Sequence, residues 1–258
     1  MDNSVNLTFF SHPEIVLDYA RAAINVGLWN SEKQLCKTFI ARDAEILELG
    51  AGAGRVSLGL VREGYSKITV TDFAPPMVEI AQTIFEDAAI PANASIRFAV
   101  EDATQISFPQ NSFDAVIFAF NGLQMIPKQA RRELAIREIS RILRPGGVFI
   151  FTGHDQTHAA RREHWDSERS RWENNERDPA LDDFGDYNHA TPQGAMFIHA
   201  AVPAQMRQTL EANGFEVEFS ELRSRFATEP PAVLDFSDDT RFWVTRKCSR
   251  NSHGNGEI

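Results

Sequence analysis

Three glycines at alternating positions follow an apolar segment, Ile46-Leu47-Glu48-Leu49, in the string Gly50-Ala51-Gly52-Ala53-Gly54. Such glycines let backbone N–H groups approach a ligand closely at the positive end of the helix that follows. Asp72 ends the next apolar run, about twenty residues on, at the spacing that suits an acidic partner of a ribose diol. Together these residues predict a binding site for a cofactor that contains a nucleoside.

The glycine spacing distinguishes between kinds of nucleoside cofactor. The dinucleotide fingerprint is G-x-G-x-x-G/A, and its third small residue lets the helix pack closely on the strand. Here Arg55 occupies that position, and Gly54 comes one residue early. Because Arg55 is too bulky for that role, the pattern disfavours a dinucleotide-dependent oxidoreductase, which is kept as an alternative. For Arg55 itself we expect a structural ion pair.

Size, charge and cysteine content narrow the class of protein. The 258 residues suffice for one domain or for a domain with a cap. The net charge of −10 disfavours a nucleic-acid partner and an anionic membrane surface, since both attract Lys and Arg. Cys36 and Cys248 form no C-x-x-C pattern, so we expect no disulfide framework, no metal site and a cytoplasmic location. We expect neither a signal peptide nor a membrane span.

Strand and helix patterns alternate through the central part of the chain. Strands are predicted at 46–49, 67–71, 95–100, 113–120 and 148–153, and helices at 13–28, 31–40, 56–62, 76–88 and 128–143. This alternation predicts an α/β fold with a parallel sheet whose ligands lie beyond the carboxyl ends of the strands. The following residues 155–190 are predicted to form an exposed helix and loop. A short strand at 196–199, a helix at 203–213 and strands at 215–222 and 241–246 complete the prediction.

Several of these motifs resemble those of class I S-adenosylmethionine (SAM) dependent methyltransferases. Glu48 and the three glycines resemble the E/D-x-G-x-G-x-G motif, and Phe113-Asp114 resembles the F-D motif of strand four. Leu143-Arg144-Pro145-Gly146-Gly147 resembles the L-[RK]-P-G-G turn before strand five. The resemblance implies a Rossmann-like, doubly wound sheet of seven mostly parallel strands with an antiparallel last strand. It also implies a helical and loop cap inserted after strand five.

The same resemblance divides the chain into five segments. They are an N-terminal helical cap region (1–44), a SAM-binding core (45–153), a substrate-cap insertion (154–200), a completion of the core sheet (201–248) and a disordered tail (249–258).

The resemblance also implies roles for residues around the cofactor. The backbone of Gly50, Ala51 and Gly52 would pass under the amino-acid part of SAM, and Asp72 would accept both ribose hydroxyls. Phe73 and Met77 would line the adenosine pocket. Asp102 and Ala103 would bind the adenine, Phe120 and Asn121 would face the methionine ammonium, and Tyr19 with Arg21 would close the site over the carboxylate. The remaining member of the predicted cofactor set is Glu48.

Purely structural roles stay open for several of these residues. Gly50 and Gly52 could be turn glycines with no ligand. Asp72 could cap the helix that follows it, and Asp102 could be a turn residue. Tyr19 could simply pack on the apolar face of its helix.

The candidate catalytic residues follow strand five. The sulfonium of SAM is already a strong electrophile, so a general base is needed only where the acceptor carries a proton. The candidates are His154, which Asp155 could orient, and His158, Tyr187 and His199. His158, Arg162, Trp165, Arg169 and Trp172 share one helical stripe, which could form a lid over the substrate or pack on the domain.

The resemblance therefore predicts methyl transfer from SAM to an N, O, C or S atom of a small-molecule acceptor, with S-adenosylhomocysteine as product. The expected assembly is a monomer or homodimer. A protein or peptide acceptor stays open. A nucleic-acid acceptor is disfavoured, because Asn121-Gly122-Leu123-Gln124 follows strand four in place of [DNS]-P-P-[YFW]. The other alternative is a SAM-binding protein without catalysis.

Overall fold

The computed structural model of the protein describes residues 4–249. Its strands are β1 (Ile46–Glu48), β2 (Lys67–Asp72), β3 (Ser95–Val100), β4 (Phe113–Phe118), β5 (Leu143–Gly153), β6 (Asp186–Thr191), β7 (Gly194–His199), β8 (Phe215–Leu222) and β9 (Arg241–Lys247). Its α-helices are α1 (Ser4–Phe10), α2 (Pro13–Asn25), α3 (Asn30–Phe39), α4 (Arg55–Arg62), α5 (Pro75–Asp87), α6 (Gln129–Ile142), α7 (Arg162–Glu173), α8 (Pro203–Ala212), α9 (Arg223–Phe226) and α10 (Pro231–Phe236).

Seven strands form the central sheet in the order β3-β2-β1-β4-β5-β9-β8. The pairs from β3 through β5 are parallel, whereas β9 is antiparallel to both of its neighbours. The strand order reverses between β1 and β4, and ligands bind at such a switch point in open α/β sheets. The predicted doubly wound sheet with an antiparallel last strand is confirmed.

Both faces of the sheet are covered because successive side chains of a strand point to opposite sides. Ile46 joins one buried cluster, which includes Val56 of α4 and Ala81 of α5. Its neighbour Leu47 joins a second cluster, which includes Ile136 of α6. Two apolar layers therefore hold the strands in register and leave their carboxyl ends free to carry the site.

The structure differs from the predicted elements in five places. The Pro145-Gly146-Gly147 string lies within β5, where the pairing with β4 shifts register and Gly146 takes φ +77°. Residues 186–191, predicted as loop, form β6, which pairs with β7 in a separate two-stranded sheet. The polar sequence of β6 lacks the apolar alternation that would have marked it as a strand. Helices α1, α9 and α10 were also missed.

The segment boundaries drawn from the sequence stay predictions. Residues 250–258, most of the predicted disordered tail, lie outside the described residues. Within residues 4–249 no helix has the length and apolar character needed to cross a bilayer.

Candidate functional site

The glycine turn after β1 has a backbone that other residues adopt only with strain. Gly50, Gly52 and Gly54 have φ values of +58°, +54° and +80°. A Cβ on Gly50 would lie 2.7 Å from the Phe118 ring, and one on Gly52 would lie 2.8 Å from Tyr19. The turn therefore needs glycine both for its left-handed backbone and for the close approach of two aromatic rings.

Asp72 at the end of β2 is bound to this turn. The Gly52 N–H donates to Asp72 Oδ2 at 2.8 Å, and the Ala74 N–H donates to Oδ1 at 2.9 Å. Burial raises the pKa of Asp72 to about 6, against the lowering effect of these N–H donors. Each carboxylate oxygen retains a second lone pair, so the group can still accept from a ligand.

Two further acidic groups stand beside the turn. Glu48 Oε2 accepts the Ser57 N–H at 2.9 Å, and burial raises the pKa of Glu48 to about 7. Asp102, which follows β3, accepts the Thr104 N–H at 2.8 Å. Asp102 thus has the turn role that the sequence left open, and Asp72 has a bond to the start of α5 as well as to the glycine turn.

Arg55, the first residue of α4, pairs with Glu32 of α3. The two guanidinium nitrogens lie 2.7 and 2.5 Å from the carboxylate oxygens, and Arg55 also donates to the Gly27 carbonyl at 2.8 Å. Its guanidinium lies over the Trp29 ring, 4.5 Å from the centroid. The expected structural pairing exists, with Glu32 as the partner.

The turn and the carboxylates open into one cavity at the carboxyl edge of the sheet. It holds about 960 Å³ of empty space, its open mouth included. Ten of the twelve predicted cofactor residues line it: Tyr19, Glu48, Gly50, Ala51, Gly52, Asp72, Phe73, Asp102, Ala103 and Phe120. Met77 and Asn121 are absent from the lining. Met77 is buried in a cluster with Phe10 and Ala74, so its predicted contact with adenosine lacks geometric support.

Four residues that the sequence reasoning missed lie on the other side of this cavity: Asn6, Phe10, Met125 and Phe236. The Asn6 amide donates to the Met125 carbonyl at 2.7 Å and accepts the Phe197 N–H at 2.8 Å, which fixes α1 on β7. Phe236 comes from α10. No local pattern in the sequence relates α1 or α10 to the glycine turn, because they meet it only through the fold.

The family profile described as "Methyltransferase domain" matches residues 46–147. That match spans β1 to β5 and includes the glycine turn, Asp72 and Asp102. Residues 46–147 belong to the class I SAM-dependent methyltransferase family.

Similar proteins with curated names fall into more than one class of methyltransferase. A demethylmenaquinone methyltransferase of Leptospira interrogans is 33% identical over 134 residues, which cover 47% of this chain and 51% of that protein. The human EEF1A lysine methyltransferase 2 is 28% identical over 122 residues, covering 46% and 50%. The chain thus spans about half the length of the curated relatives it matches.

Solved structures share the fold of this methyltransferase domain and its flanking segments. A SAM-dependent methyltransferase from Methanosarcina mazei has a TM-score of 0.66 at 22% identity, covering 83% of this chain and 97% of its own. The [4+2]-cyclase SpnF has a TM-score of 0.55 at 20% identity, covering 84% and 81%. At such identities the likeness extends to the fold alone.

The four candidate catalytic residues lie around β5 and the β6–β7 hairpin, outside the set that lines the cavity. His154 is buried, and its Nε2 lies 3.2 Å from Asn121 Nδ2. Asp155 does not orient it, because Asp155 accepts from Arg241 and Thr157. Burial, followed by the charge of Arg161, lowers the pKa of His154 to about 4, so the ring is neutral near pH 7.

The other three candidates are separated from one another by their partners. Tyr187 packs edge-on against His154, with ring centroids 6.3 Å apart. His158 contacts Asp239 at 3.3 Å, whereas His199 Nδ1 lies 2.8 Å from Asp186 Oδ1. Burial lowers the pKa of His199 despite this carboxylate. The structure therefore brings together only His154 and Tyr187, and the catalytic assignments stay predictions.

The predicted stripe on the helix after β5 has a packing role in this protein. Trp165 and Trp172 of α7 both meet the Phe184 ring edge-on, at 5.9 and 5.8 Å between centroids. Arg169 lies over the same ring at 4.8 Å. The stripe thus packs α7 on the segment before β6, which is the second of the two roles that the sequence left open.

Proposed function

We propose that the protein transfers a methyl group from SAM to a small-molecule acceptor and releases S-adenosylhomocysteine. The observation that carries this proposal is one continuous cavity with two unlike ends. One end has the glycine turn, Asp72 and Asp102, and the other has the stacked rings of Phe120 and Phe236. Phe10 and Tyr19 join the two ends, since they contact Phe73 and Gly52 as well as each other and Phe120. A methyltransferase needs such adjoining space for a nucleoside and for an acceptor.

The residues present fit the cofactor. The backbone of Gly50 and Gly52 lines the cavity, and the Asp72 carboxylate beside it can accept hydrogen bonds from two ribose hydroxyls. Asp102 and Ala103 would meet the adenine at the end of β3. When bound, SAM supplies an electrophilic methyl group: the sulfur–methyl bond breaks as the acceptor's lone pair bonds the carbon, and sulfur keeps the electron pair.

The protein's own part in that reaction is to bind, to orient and to exclude water. Phe10 and Tyr19 cover the cavity from one side, and Phe236 covers it from another. Acceptors that carry a proton at the reacting atom release it to water or to a base, for which His154 remains the candidate nearest to Asn121 and the end of β4.

A small acceptor is favoured over a protein side chain because four α-helices, α1, α2, α4 and α10, contribute to the cavity wall. Covering of this kind restricts the approach of a bulky polypeptide but leaves room for a small molecule. Among the relatives, the demethylmenaquinone methyltransferases support a small acceptor, whereas the lysine methyltransferase marks the competing class.

The test has two stages on the full chain. Calorimetric titration should show binding of SAM and S-adenosylhomocysteine, and preferential binding of NAD would overturn the cofactor assignment. Incubation with SAM carrying a labelled methyl group should then label compounds in a low-molecular-mass cell extract. Label found only in the protein fraction would replace the small acceptor with a protein acceptor.

A further inference from the structure

Four aromatic rings form a continuous row along the cavity. Phe10 meets Tyr19 edge-on at 5.8 Å, and Tyr19 meets Phe120 edge-on at 6.2 Å between centroids. Phe120 and Phe236 stack almost parallel, 5.0 Å apart with 14° between their planes. These rings belong to four separate elements of the chain, and all four line the cavity. Phe10 also meets Phe73 edge-on at 6.1 Å, just after β2, whereas Phe120 and Phe236 stand at the far side of the row, which we call the aromatic end.

The position of Phe120 carries a conformational cost. Its φ is +51° and that of Asn121 is +67°, so two successive non-glycine residues are left-handed. Such a conformation costs about 1 kcal/mol or more for a bulky residue and is concentrated at functional sites. The Asn121 N–H donates to Thr152 Oγ1 at 3.1 Å, and this bond to β5 helps to hold the turn that places the Phe120 ring.

Phe236 is also held from outside the cavity. Glu229, shortly before α10, accepts the N–H groups of Asn30 and Ser31 at 2.8 and 2.9 Å. The Asn30 side chain donates to the Thr228 carbonyl at 2.8 Å. These bonds fasten the segment before α10 to the N-terminus of α3 and so limit where the Phe236 ring can lie.

The charges around the cavity disfavour an anion. Its lining includes the carboxyl groups of Glu48, Asp72, Glu101 and Asp102. Within the described residues, Arg55 is the one lining residue with a cationic side chain, and its guanidinium is paired with Glu32. A negatively charged acceptor would therefore lose its hydration without gaining a free cation.

The polar groups at the aromatic end are few. The Asn6 amide is used by Met125 and Phe197. Burial raises the pKa of the Tyr19 phenol, which keeps it neutral. Aromatic rings interact favourably with other rings in stacked or edge-on arrangements. The space is thus suited to a flat apolar molecule.

We propose that the acceptor is an uncharged compound with a flat, apolar ring, that it binds in this aromatic end, and that Phe236 determines its affinity. This inference rests on the proposed function, since it assigns the β1–β3 end of the cavity to SAM. The Phe236 ring is only half-buried in the protein, so part of its surface is free to contact a ligand. The ring that stacks on it, Phe120, lies just after β4.

The experiment uses the full chain saturated with S-adenosylhomocysteine and two probes that differ in charge. Calorimetry should detect binding of 2-naphthol, and 2-naphthol-6-sulfonate should bind at least about tenfold more weakly. Equal or tighter binding of the sulfonate would overturn the inference.

Substitutions then test the role of Phe236. Phe236→Ala should weaken 2-naphthol binding about tenfold, Phe236→Leu should weaken it less, and both should leave the affinity for S-adenosylhomocysteine unchanged. The matched control is Leu234→Ala, since Leu234 is on the same helix but is 58% exposed. Equal effects at positions 234 and 236 would contradict the assignment, and thermal melting shows whether each variant folds.

The outcomes separate this inference from the proposed function. If S-adenosylhomocysteine does not bind, the cofactor assignment falls and the inference falls with it. If S-adenosylhomocysteine binds but neither probe does, the proposed cofactor site stands and the flat, uncharged acceptor is rejected.

Discussion

The two ends of the cavity are built in different ways. At the β1–β3 end, the groups that line the cavity are a glycine backbone and the carboxylates of Asp72, the last residue of β2, and Asp102, which follows β3. At the aromatic end, the surface consists of the stacked rings of Phe120 and Phe236, which the Tyr19 and Phe10 rings connect to the glycine turn. The first end depends on short loops of the sheet, and the second depends on helices that fold back over it.

This difference affects what each end can do. Backbone N–H groups and buried carboxylates recognise a particular pattern of donors and acceptors, so the first end suits one cofactor. Aromatic rings recognise shape and apolar area with little directionality. We therefore expect substitutions at the first end to change cofactor affinity steeply, whereas those at the second end should change acceptor choice.

The largest expected effect is on cofactor binding. Asp72→Ala removes the acceptors proposed for two ribose hydroxyls, and each hydrogen bond to a charged group contributes about 1.5–3 kcal/mol. Calorimetry should show the affinity for S-adenosylhomocysteine falling by about 5 kcal/mol, which is several thousandfold. Asp102→Ala should weaken binding no more than about tenfold, because Asp102 is more exposed. Unchanged affinity in Asp72→Ala would mean that the cofactor lies elsewhere.

The attachment of the N-terminal helices to the core depends on a buried ion pair. Arg55→Met leaves the Glu32 carboxylate buried without its partner, and breaking such a pair costs about 4 kcal/mol. Urea denaturation should report that loss in the free energy of unfolding. The matched control is Arg144→Met, whose pair with Asp114 at 2.8 Å is more than 40% exposed and should contribute less than about 1 kcal/mol. Equal losses in the two variants would contradict this account.

The buried carboxyl beside the glycine turn makes stability depend on pH. Burial raises the pKa of Glu48 from its ordinary 4.5 to about 7, so the folded state holds a proton that the unfolded state releases. The contribution of this proton to the stability of the fold is complete below about pH 4.5. As the pH rises through 7, the free energy of unfolding falls by about 3 kcal/mol.

Glu48→Gln isolates that contribution, since the amide oxygen can still accept the Ser57 N–H. Urea denaturation at several pH values should show a smaller fall in the free energy of unfolding between pH 5 and 8 for this variant. Parallel curves for the two proteins would show that Glu48 does not titrate in this range. Asp72 titrates in both proteins, so its contribution to the pH dependence of the free energy of unfolding cancels when the two curves are subtracted.

The contact between the two ends is tested at Gly52. Gly52→Ala forces a non-glycine residue to φ +54° and puts its Cβ 2.8 Å from the Tyr19 ring. We expect a loss of about 2 kcal/mol in the free energy of unfolding, part from the backbone and part from the displaced ring. In Gly146→Ala the φ of +77° is as strained, but nothing lies within 4 Å of the new Cβ. Equal losses would mean that the Tyr19 contact has no energetic weight.

Much of the sheet and of the cofactor end was predictable because the signals are local. Gly50, Gly52 and Asp72 act through their immediate backbone, and the strand and helix periods around them follow from burial of one face or both. The polar strand β6 and the short helices α9 and α10 were missed because their residues show no clear apolar period. The pairing of Arg55 with Glu32 was foreseen only as a structural role, since the sequence does not reveal which helix packs beside α4.

Residue order alone was thus sufficient for the α/β sheet, for the methyltransferase domain of residues 46–147 and for most of the residues that line the cavity beside the glycine turn. The aromatic end was decided by tertiary structure. Phe10 and Phe236 lie more than 200 residues apart in the sequence, yet both border the same space as Phe120. The physical reason is that a turn or a strand is governed by neighbouring residues, whereas a pocket wall depends on which distant apolar surfaces the whole chain buries against one another.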